Sequence, residues 1–357
     1  MQIDGHHALT YIAARFAGFD AEDASKVAYS AQYVDDATNG GVIKFTNGAM
    51  YYRIASAHKM LDYSNFDELA NHQAWAAFHF LPGNAGLPAG ENPTGSFIHK
   101  LICKPDSFIA RDMLKLAIAD KAKSYGLHRL GISMHVYADT FAHQGFTGNR
   151  HEVNEVSELK SSDAELDQNF LSKITNFFLS EAYPLGHGAA LSHPDRPYIT
   201  WQYKNGLGVQ VERDNREIFF DAVDSMCCAM KCFISGDSTV NLDVVTGIPE
   251  EDALVIREML AGINDDDGEV RHRRWLDAIA EGKFSFGAET LTYIAKGEGS
   301  WKHESIGQLA PKDQEDDTFE YHSPFLSSDW KMFHDALQAH RFDILHDVLP
   351  KYGICLA

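Results

Sequence analysis

Apolar residues recur at helical spacing over most of the chain, and the clearest run is Leu127 to Phe146. It contains no proline, and Leu130, Met134, Tyr137 and Phe141 repeat as the inward positions of a helix. Upstream, Leu9, Ile12, Ala13 and Phe16 predict a helix ending at Gly18. Asp20, followed by Glu22 and Asp23, predicts the N-cap of a second helix through Ala24, Val27, Ala28 and Ala31 to Tyr33-Val34-Asp35-Asp36. Further helices are expected over Ala57–Ala77, with His58 and His72 on the surface, from an Asp106 cap to Ser124, over Ser162–Glu181 and over Asp214–Ser235. Period-2 structure is expected in one place, a hairpin over Gly40–Tyr52, where Asn47-Gly48 signals a type I′ turn. The stretches 84–96, 145–153 and 184–201 are rich in Gly, Pro and polar residues and read as loops. The expected fold is all-α, a helical bundle with a short β-hairpin. Residues 1–235 form its core, and 236–357 form a helical extension packed on that core.

On the central helix His135, Asp139 and His143 follow at i, i+4 and i+8. Three such positions lie within roughly 80° of one another, so they share a face. Imidazoles and a carboxylate are unfavourable to bury unless they meet a partner, and a divalent cation suits both. A His-x-x-x-Asp pair also occurs as a plain hydrogen bond between helical turns. Other segments supply matching groups. Asp35 and Asp36 end a helix where its dipole disfavours negative charge. His79 lies between Phe78 and Phe80, before a Pro-Gly break, and is expected to face inward. His6 and His7 open the chain, while His187, His193 and Asp195 occupy a broken loop. Gly131, one turn before His135, leaves room for a neighbouring chain to approach.

Composition narrows the function. The chain has 357 residues, 45% of them hydrophobic, enough for a large core. No apolar run reaches the ~18 residues of a membrane span. The first residues lack a basic, apolar leader, so a cytoplasmic protein is expected. A formal charge of −20 argues against wrapping duplex nucleic acid. The five cysteines form no CxxC pair and read as buried thiols. Of 18 histidines, 12 precede position 200, which directs attention to the first half.

In order, an early His, Tyr33-Val34-Asp35-Asp36, Phe78-His79-Phe80, the His135-x-x-x-Asp139-x-x-x-His143 helix and a later His-bearing loop resemble the zinc-dependent phospholipase C and single-strand-specific nuclease superfamily. The resemblance covers roughly residues 1–235 and implies a helical protein with two or three zinc ions. One ion would take Asp35 or Asp36 with His79, His135 and Asp139. A second would share Asp139 and take the N-terminus and His6, with Asp4 or His7 as substitutes. A third would take His143, His187 and either Asp195 or His193. The preferred ligand set is thus His6, Asp36, His79, His135, Asp139, His143 and His187. Asp35 and Asp36 are also the candidates for orienting an attacking water. The implied activity is hydrolysis of a small-molecule or lipid phosphoester. The chain departs from the family in the closer spacing of His143 to His135. It also has Leu191 where a carboxylate would follow His187, and it lacks a leader. Two other readings stand beside this one. A helical di-iron or HD-type protein, with iron in place of zinc, would draw on His334-Asp335 or His346-Asp347, which read as helix-surface pairs. A non-catalytic helical interaction protein would use its histidines structurally.

Overall fold

A computed structural model describes residues 1–57, 72–163, 185–310 and 317–356. The helix expected over Ser162–Glu181 and most of that over Ala57–Ala77, His58 included, lie outside them. The fold is built on α4 (Gly126–Ala142), buried at every position from 128 to 142. It packs against α2 (Ala21–Asp36), α3 (Phe108–Ala119), α5 (Asn215–Ser235) and α8 (Asp329–Phe342). The N-terminal segment enters as a wide π-turn, Asp4–Leu9, and continues as α1 (Thr10–Ala17), which Gly18 ends at φ +109°. Helices α6 (Glu250–Gly262) and α7 (Gly268–Ala280) cover one side.

Side chains cap the start of five of these eight helices. Asp20 caps α2 by accepting from the amide of Asp23 at 2.9 Å, as its pattern predicts. Asp214 caps α5, and Gly236 closes it at φ +73°. The helix expected from Asp106 to Ser124 is shorter, because Ser107 is its cap and it ends at Ala119. Asp106 is drawn away by the Arg111 guanidinium and the Tyr137 hydroxyl.

The chain is mainly helical but not all-α. The expected hairpin pairs β1 (Gly41–Phe45) with β2 (Met50–Arg53), and Gly41 faces Arg53. Its turn is not type I′, since in this turn only Gly48 has positive φ. The Asn47 carboxamide instead accepts from the amide of Ala49 at 2.9 Å. Short β6 (Thr318–Phe319) adds parallel to β1. A second, antiparallel sheet orders β3 (Val156–Ser161), β4 (Thr200–Asn205) and β5 (Gln210–Asp214). Its signal is local: Trp201 and Tyr203 alternate inward with Gln202 and Lys204, and Asn205 folds the turn by accepting from Leu207 and Val209.

One apolar core runs from Leu9 through Met134 and Phe219 to Trp275, Trp330 and Leu337. Residues beyond 235 therefore complete the core rather than merely cover it. A smaller cluster of Phe80, Phe146, Trp201 and Tyr203 lies under the second sheet. Among the described residues no helix is long and apolar enough to cross a membrane.

The approach of α2 to α4 decides where the site forms. A Cβ on Gly131 would lie 2.4 Å from the Val27 carbonyl oxygen and 2.5 Å from the Ser30 Cβ. Both atoms belong to a packed helix, so neither can give way cheaply. Gly131→Ala is expected to lower stability by about 1–3 kcal/mol, the usual effect of overpacking, with a matching fall in the denaturant midpoint. An unchanged midpoint would show that this crossing does not limit the packing.

Candidate metal centre

Four imidazoles near Asp139 have one ring nitrogen fixed by a backbone carbonyl. His135 Nδ1 lies 2.8 Å from Ala31 O, which the close α2–α4 crossing brings within reach. His79 Nε2 is 3.1 Å from Ser56 O, and His143 Nδ1 is 2.8 Å from His79 O. His187 Nδ1 is 2.8 Å from Leu191 O, a contact made inside the broken loop. A carbonyl accepts only, so each of those nitrogens carries the hydrogen, and in the neutral ring the other presents a lone pair. The free nitrogens converge. His135 Nε2 and His79 Nδ1 are 3.2 Å apart, two lone pairs directed at the same small volume.

The buried Asp139 carboxylate lies between these groups. Its Oδ2 is 3.3 Å from His135 Nε2 and 3.5 Å from His79 Nδ1. Its Oδ1 is 3.2 Å from His6 Nε2, 3.6 Å from His143 Nε2 and 2.6 Å from the Met1 amine. Asp35 Oδ1 completes one side, 3.8 Å from His79 and 3.9 Å from His135. Asp195 completes another, 3.7 Å from His143 and 3.5 Å from His187. Most of these separations are too long for strong hydrogen bonds. They match the edge of a coordination tetrahedron, roughly 3.3 Å for donor atoms ~2.0–2.1 Å from an ion.

Three groups could therefore hold a metal ion: His6, Asp35 and His135; His79, His135 and Asp139; and His143, His187 and Asp195. The protonation states suit that use. Burial alone would push the Asp139 carboxyl up, but His143, the Met1 amine, His6 and His135 overcome it and hold the group well below the ordinary carboxylate range. Asp195 is held down in the same way, against burial, by His187, the Met1 amine and His143. Burial drives His6 well below its usual value and His143 down to about 4. Asp139 and Asp195 are thus held ionised beside neutral His6 and His143, the ligand forms of both, while burial pushes the Asp35 carboxyl up. Two of the cluster's side chains reach solvent, Asp35 at 36% exposure and His187 at 20%.

His6, His79, His135, Asp139, His143 and His187 lie together around this space. Asp36 does not. It accepts from the Tyr293 hydroxyl at 2.7 Å and faces Lys296 at 3.5 Å, because adjacent helical residues point about 100° apart. Asp35 takes its place. Asp4 and His7, the alternatives to His6, are engaged by Arg271 and His272 on α7. Of the pair Asp195 and His193, Asp195 joins the cluster, and His193 Nδ1 is directed to Ala190 O. Asp195 follows His187 by eight residues across an irregular segment, so no periodicity marks it. The His-Asp dipeptides lie elsewhere. His334 packs edge-on to Trp330, Asp335 accepts from Tyr51, and His346 and Asp347 are exposed. His334 is buried, contrary to the expected surface pair, because α8 packs that face into the core.

A family model described as a family of unknown function, DUF6765, matches residues 1–348. No curated protein and no solved structure matches the chain.

Acid should act on the metal-free protein through these imidazoles. His143, and His272 beside His7, have folded values near 4 against an ordinary 6.5. Between those limits the unfolded chain binds protons that the folded chain refuses, so stability falls as pH drops from 6.5 towards 4. Denaturation midpoints of chelator-treated protein across that range should decline steadily. A flat profile would contradict the burial of neutral imidazoles, and added metal should move the decline to lower pH.

Proposed function

We propose that this chain, which belongs to the DUF6765 family of unknown function, is a metal-dependent hydrolase that acts on phosphoesters and uses zinc. The observation that carries the reading is the lone-pair arrangement at Asp139. In their neutral forms His79 and His135 would aim lone pairs at each other across 3.2 Å, beside the Asp139 carboxylate, in a buried space. Neutral lone pairs so placed repel, and a bound cation turns the repulsion into ligation. The donor set of imidazole nitrogen and carboxylate oxygen, without thiolate, fits zinc and also admits iron. The resemblance to the zinc-dependent phospholipase C and nuclease superfamily points to zinc and to phosphoesters.

Zinc, when bound, lowers the pKa of water towards neutrality and offsets negative charge growing on phosphoryl oxygens. The chain's own residues do the rest. Asp139 presents Oδ2 to His79 and His135 and Oδ1 to His6 and His143, so it would supply a carboxylate oxygen to an ion held beside either pair. The carbonyls of Ala31, Ser56, His79 and Leu191 keep four imidazoles in the ligating tautomer and orientation. Asp35, the most open carboxylate of the cluster, is placed to take a proton from an incoming water. Asp36 has no part in this step, being bound to Tyr293.

Elemental analysis of protein purified without chelator is expected to find two or three zinc ions per chain. Asp139→Ala should remove metal and lower hydrolysis of a generic aryl phosphodiester by more than the roughly 10–100-fold typical of outer-shell losses. Asp36→Asn should leave metal content unchanged. Absence of stoichiometric metal would overturn the reading. Iron with visible absorbance and no phosphoesterase activity would favour oxidative chemistry at the same ligands.

A further inference from the structure

The acidic turn 264–268 and the helix after it have a role that their sequence does not suggest. Arg271 on α7 is fully buried, and its guanidinium reaches three segments. Its Nε donates to Asp4 Oδ2 at 2.6 Å and its Nη2 to Gln2 Oε1 at 2.8 Å. Nη2 also reaches the Asp195 carbonyl at 3.5 Å, while Nη1 donates to the Asp265 carbonyl at 2.8 Å. The next residue, His272, has Nε2 2.9 Å from His7 Nδ1. Two consecutive residues of α7 therefore grip Asp4 and His7, the near neighbours of His6 on each side. The turn before α7 grips the other flank. Asp266 accepts from Arg196, the neighbour of Asp195, and from the Tyr198 hydroxyl at 2.9 Å.

We propose that Arg271, His272 and Asp266 are positioning residues through which the C-terminal third assembles the metal centre. They fix His6 against Asp139 and Asp195 against His143 and His187. The subsite of His79, His135 and Asp139 is independent of them, since its imidazoles are set by the α2–α4 crossing and the Ser56 carbonyl. A buried guanidinium with its donors spread over three segments is suited to this task. Lysine carries the same charge but lacks the planar fork.

This inference rests on the metal reading above, and its test keeps the two apart. Zinc alone is titrated into chelator-stripped full-length wild type, Arg271→Lys and Asp266→Ala, with bound zinc counted after desalting and folding checked by near-ultraviolet circular dichroism. Wild type that binds no zinc overturns the metal reading itself. With zinc bound by wild type, Arg271→Lys is expected to keep one tight ion and to weaken the others about 10–100-fold, the range for outer-shell losses. Asp266→Ala alters a side chain that is 64% exposed and cuts only the link to Arg196 and Tyr198, so it should weaken one ion about 10-fold. Zinc binding as in wild type in both variants, or equal weakening of every ion, overturns the proposal. Should Arg271→Lys fail to fold, Asp266→Ala decides alone: selective weakening of one ion supports the positioning role, and an unchanged count and affinity refute it.

Discussion

A buried carboxylate on the central helix is the constraint from which the rest follows. Asp139 has 1% exposure, and among the described residues imidazoles and the Met1 amine face it. Taking such a charge out of water is costly unless cations or hydrogen-bond donors surround it. Here it is met by imidazoles from the N-terminal turn, from the segment after the 72–76 π-turn and from its own helix, together with the Met1 amine. Each of those segments must be held to sub-ångström tolerance, and much of the polar structure near the site serves that need.

The scaffold reaches this tolerance by rigid means. Helix α2 is pressed onto α4 at Gly131, which places the Ala31 carbonyl on His135 and Asp35 one turn further along. Arg213 is buried beneath Trp201 and donates to the carbonyls of Phe141 and Ala142, closing the C-terminal end of α4 beside His143. Asn215 bonds the carbonyls of His193 and Arg196 at 2.6 and 2.7 Å, fixing the loop that carries Asp195. An irregular loop can present ligands accurately because its backbone is held by such side chains. The π-turn over Asp4–Leu9 adds a local widening of the helix at the point where His6 faces Asp139 while the equally buried Asp4 and His7 turn to α7.

Charge distribution fits the same picture. The carboxylates of the cluster contribute to the net −20, and bound cations would compensate part of it. The buried arginines act differently, each tying one segment to another: Arg271 to Asp4, Arg129 to Asp343 and Arg213 to backbone carbonyls. The acidic 264–268 turn, which reads as a solvated loop, is in fact bonded to Arg196, Tyr198 and Arg271. That bonding joins the two halves of the chain around the centre.

The sequence alone determined the central helix, its shared face of His135, Asp139 and His143, the close approach at Gly131 and the inward aim of His79. Helical periodicity and glycine's missing side chain are local properties, and they survive into any fold that uses them. Whether Asp35 or Asp36 turns inward was decided by tertiary structure. Both lie at one helix end, and only the packing angle of α2, with Tyr293 waiting on the other side, separates them. The same holds for Asp195 and for the grip of Arg271 and His272 on the first turn. These contacts join residues more than 50 and more than 250 positions apart, and nothing periodic in the chain records which distant partner a polar side chain will meet. The second sheet falls between these cases, since its alternation is written in residues 200–214 but its place beneath the cluster depends on what packs against it.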